Sequence, residues 1–186
     1  MSTFVKCGVC GYVLKANRLG EICPVCGRPS RELEPFDDGV GDKRRRILDL
    51  RIHPFIAHLP VAFAFTLVIL SLLIGLSIGG LKALVIDTAR FLGLSLPVTA
   101  MAAFVSGSGD AKLRFATTST PLLLKKKRIA SLFFAIALLV AWMALMSPLE
   151  TPLMVSIFAL LSAASLCCGA ILGNLGVPLI AAQSPD

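Results

Sequence analysis

The stretches Cys7-Gly8-Val9-Cys10-Gly11-Tyr12 and Cys23-Pro24-Val25-Cys26-Gly27 decide how the first part of this chain folds. Each stretch places two thiols on one tight turn, and the glycine after the second cysteine allows the backbone to turn back with a positive φ. Four thiolates on two such turns are the ligand set of a single tetrahedral metal ion, either iron or zinc. The sequence therefore predicts one metal site whose ligands are Cys7, Cys10, Cys23 and Cys26.

The residues around this motif are polar, whereas the rest of the chain is strongly apolar. Of the 186 residues, 56% are hydrophobic, which is more than in an ordinary soluble domain. Residues 1–36 are too few to fold on a hydrophobic core alone, so we expect a metal to stabilise them. The first apolar run begins too late for a cleaved secretory signal. We therefore expect this head in the cytoplasm, where reduced thiols bind metal instead of forming disulfides.

Four long apolar runs predict helices that span a membrane, because each is close to the length that crosses roughly 30 Å of hydrocarbon. They cover residues 55–76, 91–105, 129–146 and 153–172. We expect the second helix to extend back to Leu84, which pairs Asp87 with Arg90, and the last helix to break at residues 173–178. The predicted fold is a small metal-stapled β head followed by an all-α four-helix transmembrane bundle. Its parts are the head at 1–36, a basic linker at 37–52 and the bundle at 53–186.

Basic residues are distributed unevenly between the predicted connections. They cluster before the first span and between the second and third, at residues 43–46, 51, 112, 114 and 125–128. Because basic loops stay in the cytoplasm, both termini are predicted on the cytoplasmic side of the inner membrane. This clustering also explains the net charge of +7, since residues 1–42 carry five basic and six acidic side chains. We therefore expect contact with anionic lipid headgroups and no nucleic-acid partner.

The head resembles a rubredoxin site, through its Cys-x-x-Cys-Gly-Tyr opening and its Cys-Pro-x-Cys-Gly close. Twelve residues separate Cys10 from Cys23, a spacing similar to that of the rubredoxin-like domain of rubrerythrins. The resemblance covers about residues 4–36. It implies that the four cysteines bind one iron ion that cycles between Fe(III) and Fe(II), with Tyr12 on one side of the site and Phe4 or Phe36 on another.

A zinc ribbon is the alternative to this iron site. It places the same four cysteines, at the same spacing, around a structural zinc ion that has no redox activity. The Gly11-Tyr12 pair together with the Cys-Pro-x-Cys-Gly close favours iron. Residues 15–18, Lys-Ala-Asn-Arg, depart from the rubredoxin pattern, in which a turn containing glycine or proline is usual.

The membrane part resembles an uncharacterised family of four-span bacterial proteins. The resemblance is carried by His53-Pro54-Phe55-Ile56-Ala57-His58-Leu59-Pro60, which opens the first span, and by Ser106-Gly107-Ser108-Gly109-Asp110, which closes the second. It covers most of residues 53–171, and some members carry a rubredoxin-like head in front. No function follows from this resemblance.

His53 and His58 are the only histidines, and both fall where a span enters the bilayer. Positions five apart lie roughly 140° apart around a helix, so the two cannot ligate one iron ion. A haem b would need a second chain or a methionine such as Met101, Met143 or Met154. We expect the two histidines to cluster with Asp110 at the cytoplasmic surface, near Arg51 and Arg114. That cluster is either structural or a site for haem or a quinone head group.

The resemblance of the head implies a membrane-anchored one-electron carrier rather than an enzyme. Its partners would be the lipid bilayer, a cytoplasmic redox protein, and a membrane acceptor such as a haem, a quinone or a neighbouring redox complex. A redox-silent zinc-ribbon protein that docks a partner is one alternative, and a small transporter with a zinc-stapled head is another. The spans contain few polar residues to line a transport path. The pattern Gly169-Ala170-Ile171-Leu172-Gly173 allows close helix contact within the bundle or in a homo-oligomer.

Overall fold

The computed structural model describes residues 4–18, 20–23, 26–36, 50, 52–115 and 121–181. The chain divides into two compact units, of which Arg51–Pro178 is the larger. Most of the predicted linker at 37–52 lies outside the described residues, and Ile52 belongs to the first long helix.

The head is a three-stranded antiparallel sheet. Its strands are β1 (Phe4–Cys7), β2 (Val13–Lys15) and β3 (Leu33–Phe36), in the spatial order β2-β1-β3. The central strand pairs on both sides, so that Val5 lies opposite Leu14 and Pro35. A 3-10 turn at Ala16–Arg18 follows β2, where the sequence departs from the rubredoxin pattern. These short strands confirm the predicted small β head.

Four helices follow, and each is long and apolar enough to cross a membrane. They are α1 (Ile52–Leu76), α2 (Gly79–Phe115), α3 (Pro121–Met146) and α4 (Pro152–Ala181). Helices α1 and α2 run in opposite directions, since the start of α1 meets the end of α2 at His53 and Gly107. The predicted all-α bundle is therefore confirmed, and so is the pairing of Asp87 with Arg90, whose Oδ1 and Nη1 atoms lie 3.8 Å apart.

Three predicted boundaries were wrong, each because the helix continues further than the apolar run. Helix α2 covers 37 residues and extends well beyond residues 84–105. Helix α3 begins before the basic residues 125–128, which therefore lie on a helix and not in a loop. Helix α4 continues through residues 173–178, where a break was predicted. Glycine and proline are more frequent in membrane helices than in soluble ones, so their presence at 173–178 does not require the helix to end.

The bundle core is made of small and branched apolar side chains, with close contacts at glycines. A Cβ added to Gly93 would lie 3.1 Å from the Cβ of Ala144, and one added to Gly169 would lie 3.0 Å from Cγ2 of Val61. Gly169 thus belongs to a contact inside the bundle, as the small-residue pattern allowed. The fully buried apolar residues include Ala64, Leu67, Ala89, Leu96, Ala137, Val140 and Phe158.

The outer surface of the helices is apolar, which suits a lipid bilayer and not water. Phe55, Leu76 and Leu160 are each more than two-thirds exposed. The buried polar side chains in the described part of the bundle are serines that donate to carbonyls of their own helices. Their hydroxyls are therefore satisfied locally, and they do not form a polar path of the kind that the transporter alternative requires.

Candidate metal centre

Two equivalent turns carry the four cysteines. In the first, the N–H of Gly11 donates to the carbonyl of Cys7 at 2.9 Å, and in the second the N–H of Gly27 donates to the carbonyl of Cys23 at 2.9 Å. Gly11 and Gly27 both have a φ of 71°, which is the conformation that the sequence pattern required. Each turn therefore presents its two thiols on the same side of the backbone.

Backbone hydrogen bonds close the base of each turn and tie the first turn to the 3-10 turn at Ser30–Glu32. The N–H of Cys7 donates to the Tyr12 carbonyl at 2.9 Å, and the N–H of Cys23 donates to the Arg28 carbonyl at 2.7 Å. The N–H of Gly8 donates to the carbonyl of Glu32 across to the second half of the head. Backbone hydrogen bonds thus hold both cysteine turns, and with them the four sulfurs, in place.

The four sulfur atoms converge on one point. All lie within 4.8 Å of one another, with 3.6 Å between the Sγ atoms of Cys7 and Cys26 and 3.8 Å between those of Cys10 and Cys23. Metal–sulfur bonds of about 2.3 Å at tetrahedral angles place neighbouring sulfurs roughly 3.8 Å apart. The arrangement therefore fits a single four-coordinate metal ion.

The two halves of the ligand set differ in their exposure. Cys7 and Cys23 are buried, whereas Cys10 and Cys26 are exposed. The first cysteine of each pair therefore anchors the site inside the head, and the second brings it to the surface. Phe4 is buried on β1, opposite Phe36 on β3, while Tyr12 is 41% exposed. The proposed covering of the site by Tyr12 stays a prediction.

Backbone N–H groups lower the pKa values of the thiols, whereas burial and neighbouring thiols raise them. The N–H groups of Cys10 and Val9 lower the pKa of the Cys7 thiol to about 7. At Cys26 the N–H of Arg28 also favours the thiolate, but burial and the neighbouring thiols outweigh it and raise the pKa to about 12. Four thiolates therefore come together only when a cation compensates their charge, which is what a bound metal ion does.

A second group of polar residues lies at one end of the bundle, around His53. Its Nδ1 atom is 3.2 Å from the hydroxyl of Ser106 on α2, and that hydroxyl donates to the carbonyl of Ala103 at 3.1 Å. Asp110 and Lys126 both act electrostatically on the His53 ring. His53, Asp110 and Lys126 thus lie at the same end of the bundle, and Lys126 was not among the residues that the sequence singled out for this cluster.

His58 lies apart from this group. Its side chain is exposed, and its Nδ1 atom donates to the carbonyl of Pro54 in its own helix at 2.5 Å. Arg51 and the side chain of Arg114, which were expected nearby, lie outside the described residues. Nothing in the sequence indicated that Lys126 points inward. It is one of four consecutive basic residues, and only their positions around the axis of α3 distinguish them.

Comparison with known families agrees with the geometry of the head. Residues 6–34 match the family model described as rubrerythrin, rubredoxin-like domain. Neither curated proteins nor solved structures give a match to the chain. The head is therefore a rubredoxin-like domain with a four-cysteine metal-binding site, and four helices long and apolar enough to span a membrane follow it.

Proposed function

We propose that the chain is a membrane-anchored one-electron carrier, in which the rubredoxin-like domain at residues 6–34 holds one iron ion. The observation that carries this proposal is the convergence of four sulfurs within 4.8 Å on two turns whose N–H groups face them. Iron in such a site supplies a one-electron couple between Fe(III) and Fe(II). Cys7, Cys10, Cys23 and Cys26 would be its ligands.

The backbone around the sulfurs favours the reduced state. The N–H groups of Val9 and Cys10 interact with the sulfur of Cys7, that of Tyr12 with Cys10, and that of Arg28 with Cys26. Reduction would add one negative charge to the site, which these donors would stabilise. Such hydrogen bonds are among the features that set the potentials of thiolate sites.

The exposed half of the site suits exchange with a partner. Cys10 and Cys26 reach the surface, and the nearby side chains of Val9 and Ile22 are more than half exposed. A redox protein in the cytoplasm would meet this edge, while Cys7 and Cys23 hold the site from inside. The other partner would be an acceptor in the membrane, either within this chain or in a neighbouring complex.

The helices would anchor the carrier in the inner membrane with both termini in the cytoplasm. This orientation is supported by the basic residues Lys112 near the end of α2 and 125–128 near the start of α3. Both groups lie at the same end of the bundle as His53. The positive-inside rule places that end on the cytoplasmic side, where the side chains reach anionic headgroups.

Metal analysis of the purified protein tests the proposal. We expect the full-length protein, purified without oxygen from iron-replete cells, to carry one iron per chain and to be red when oxidised. Cys167→Ser is the matched control, because it removes an exposed cysteine of α4 that lies outside the site. Stoichiometric zinc in place of iron would contradict the proposal and favour a redox-silent zinc ribbon that docks a partner.

A further inference from the structure

We propose that the end of the bundle around His53 binds the head group of a membrane quinone, in a site built by His53, Ser106, Asp110 and Lys126. This inference rests on the proposed function, because the bound quinone is the membrane acceptor that the carrier requires. The quinone would become the quinol by taking up two electrons, delivered singly by the reduced iron of the head, and two protons from the aqueous side.

All four helices contribute to this end of the bundle. His53 comes from α1, Ser106 and Asp110 from α2, and Lys126 from α3. The Nζ atom of Lys126 lies 3.5 Å from where a Cβ on Gly176 of α4 would be. The rest of the described core is apolar apart from serines that bond within their own helices. Ionisable groups turned inward in a membrane bundle are costly, and they mark functional sites more often than packing.

Gly107 makes room for the imidazole of His53. A Cβ at position 107 would lie 2.7 Å from Cε1 of the ring and 3.1 Å from each of its nitrogens. The ring therefore lies directly against the backbone of α2, in a space that any larger residue would fill. Together with the bond to Ser106, this contact holds the ring against α2.

The hydrogen bonds of His53 determine which of its ring nitrogens can exchange a proton with the ligand. Ser106 gives its single hydroxyl proton to the carbonyl of Ala103, so His53 donates to Ser106 from Nδ1. In the neutral ring, Nε2 then carries the lone pair, which would take up a proton from the aqueous side. The imidazolium that forms, on which the Asp110 carboxylate acts electrostatically, would then give the proton to an oxygen of the reduced quinone.

The charges favour a neutral ligand with carbonyl oxygens. The Lys126 ammonium is a donor for one quinone carbonyl, and the electrostatic effect of Asp110 reaches that ammonium. A phosphate group would be attracted by Lys126 but repelled by Asp110, whereas a quinone carries no charge. The side chains of the proposed site therefore suit a quinone better than an anionic lipid headgroup.

Haem fits the described residues poorly. His58 is exposed and bonds to the Pro54 carbonyl within α1. Met143 lies 17 residues beyond Lys126 along α3, and Met154 lies 22 residues before Gly176 along α4. At a rise of about 1.5 Å per residue, these methionines are roughly 25 and 33 Å from the site. Met101 is closer along α2 but exposed.

Quinone binding can be measured directly on the purified full-length protein in lipid nanodiscs. We would titrate it with a benzoquinone and a naphthoquinone that carry short alkyl tails. We expect saturable binding of at least one, and an affinity at least about tenfold weaker in Lys126→Met, because a charged hydrogen bond is lost. Lys125→Met is the matched control, since Lys125 is exposed one residue away, and it should bind like the unchanged protein.

Further variants separate this inference from the proposed function. Lys126→Arg keeps the charge and should restore most of the binding, and Cys23→Ser should bind the quinone although it lacks the metal. Absence of quinone binding in the unchanged protein would overturn the inference whatever the metal proves to be. So would equal affinities in Lys126→Met and Lys125→Met, or binding of anionic lipid vesicles alone with the same dependence on Lys126.

Discussion

The head and the bundle reach stability by opposite means. In the described part of the head, the buried side chains are those of Phe4, Cys7 and Cys23, and two of these three are metal ligands. The bundle has long helices, a continuous buried core and glycines that allow close contact. The head therefore depends on its metal, whereas the bundle depends on packing and on backbone bonds satisfied within each helix.

This difference has a consequence for mutations. A change at a ligand should abolish the fold of the head and leave the bundle intact. A change in the bundle should lower stability by graded amounts that follow how closely each residue is packed.

Cys23→Ser should produce the largest change. Metal binding supplies roughly 10–16 kcal/mol in small zinc domains, more than a head of this size can replace by packing. We expect the variant to lose its metal and the head to become sensitive to protease, which is measured by metal analysis and limited proteolysis. The four helices should still insert. A variant with full metal content would show that Cys23 is not a ligand.

Gly107→Ala should destabilise the bundle by about 1–3 kcal/mol, as expected for overpacking. The added methyl group would lie 2.7 Å from Cε1 of His53, so either the ring or the helix must move. Gly109→Ala is the matched control, because nothing lies within 4 Å of its added carbon. Thermal unfolding in detergent should show a lower midpoint for Gly107→Ala only. Equal midpoints would mean that His53 does not pack on Gly107.

Gly169→Ala should have a smaller effect, within about 1 kcal/mol, because its Cβ would be 3.0 Å from one methyl group of Val61. The Val61 side chain can move by a few tenths of an ångström to accommodate the added carbon. Gly173→Ala adds its carbon to open space and serves as the comparison. A clear loss of stability at Gly173 and none at Gly169 would indicate that the glycine pattern serves a second copy of the chain.

Asp87→Ala should change stability least. The Asp87 and Arg90 side chains are 74% and 42% exposed, and exposed pairs contribute about 1 kcal/mol at most. We expect the unfolding midpoint of the bundle to stay within the error of the measurement. A loss as large as that of Gly107→Ala would show that this end of α2 is held by charge and not by apolar packing.

The sequence predicts most of the fold, because both of its main signals are local. Paired cysteines on glycine turns specify a metal site wherever they occur, and long apolar runs specify helices. Helix ends were predicted poorly, since residues such as Lys125 and Gly173 can lie inside or outside a helix. The inward position of Lys126 depends on the packing of α3 against its neighbours, which no local pattern encodes.

A potentiometric titration of the purified protein tests whether the metal of the head is a one-electron iron site. We predict that the visible absorption of the oxidised protein bleaches reversibly along a one-electron curve. The curve should be unchanged in Cys167→Ser and absent in Cys23→Ser. A colourless protein with one zinc per chain, or a curve that requires two electrons, would contradict the account.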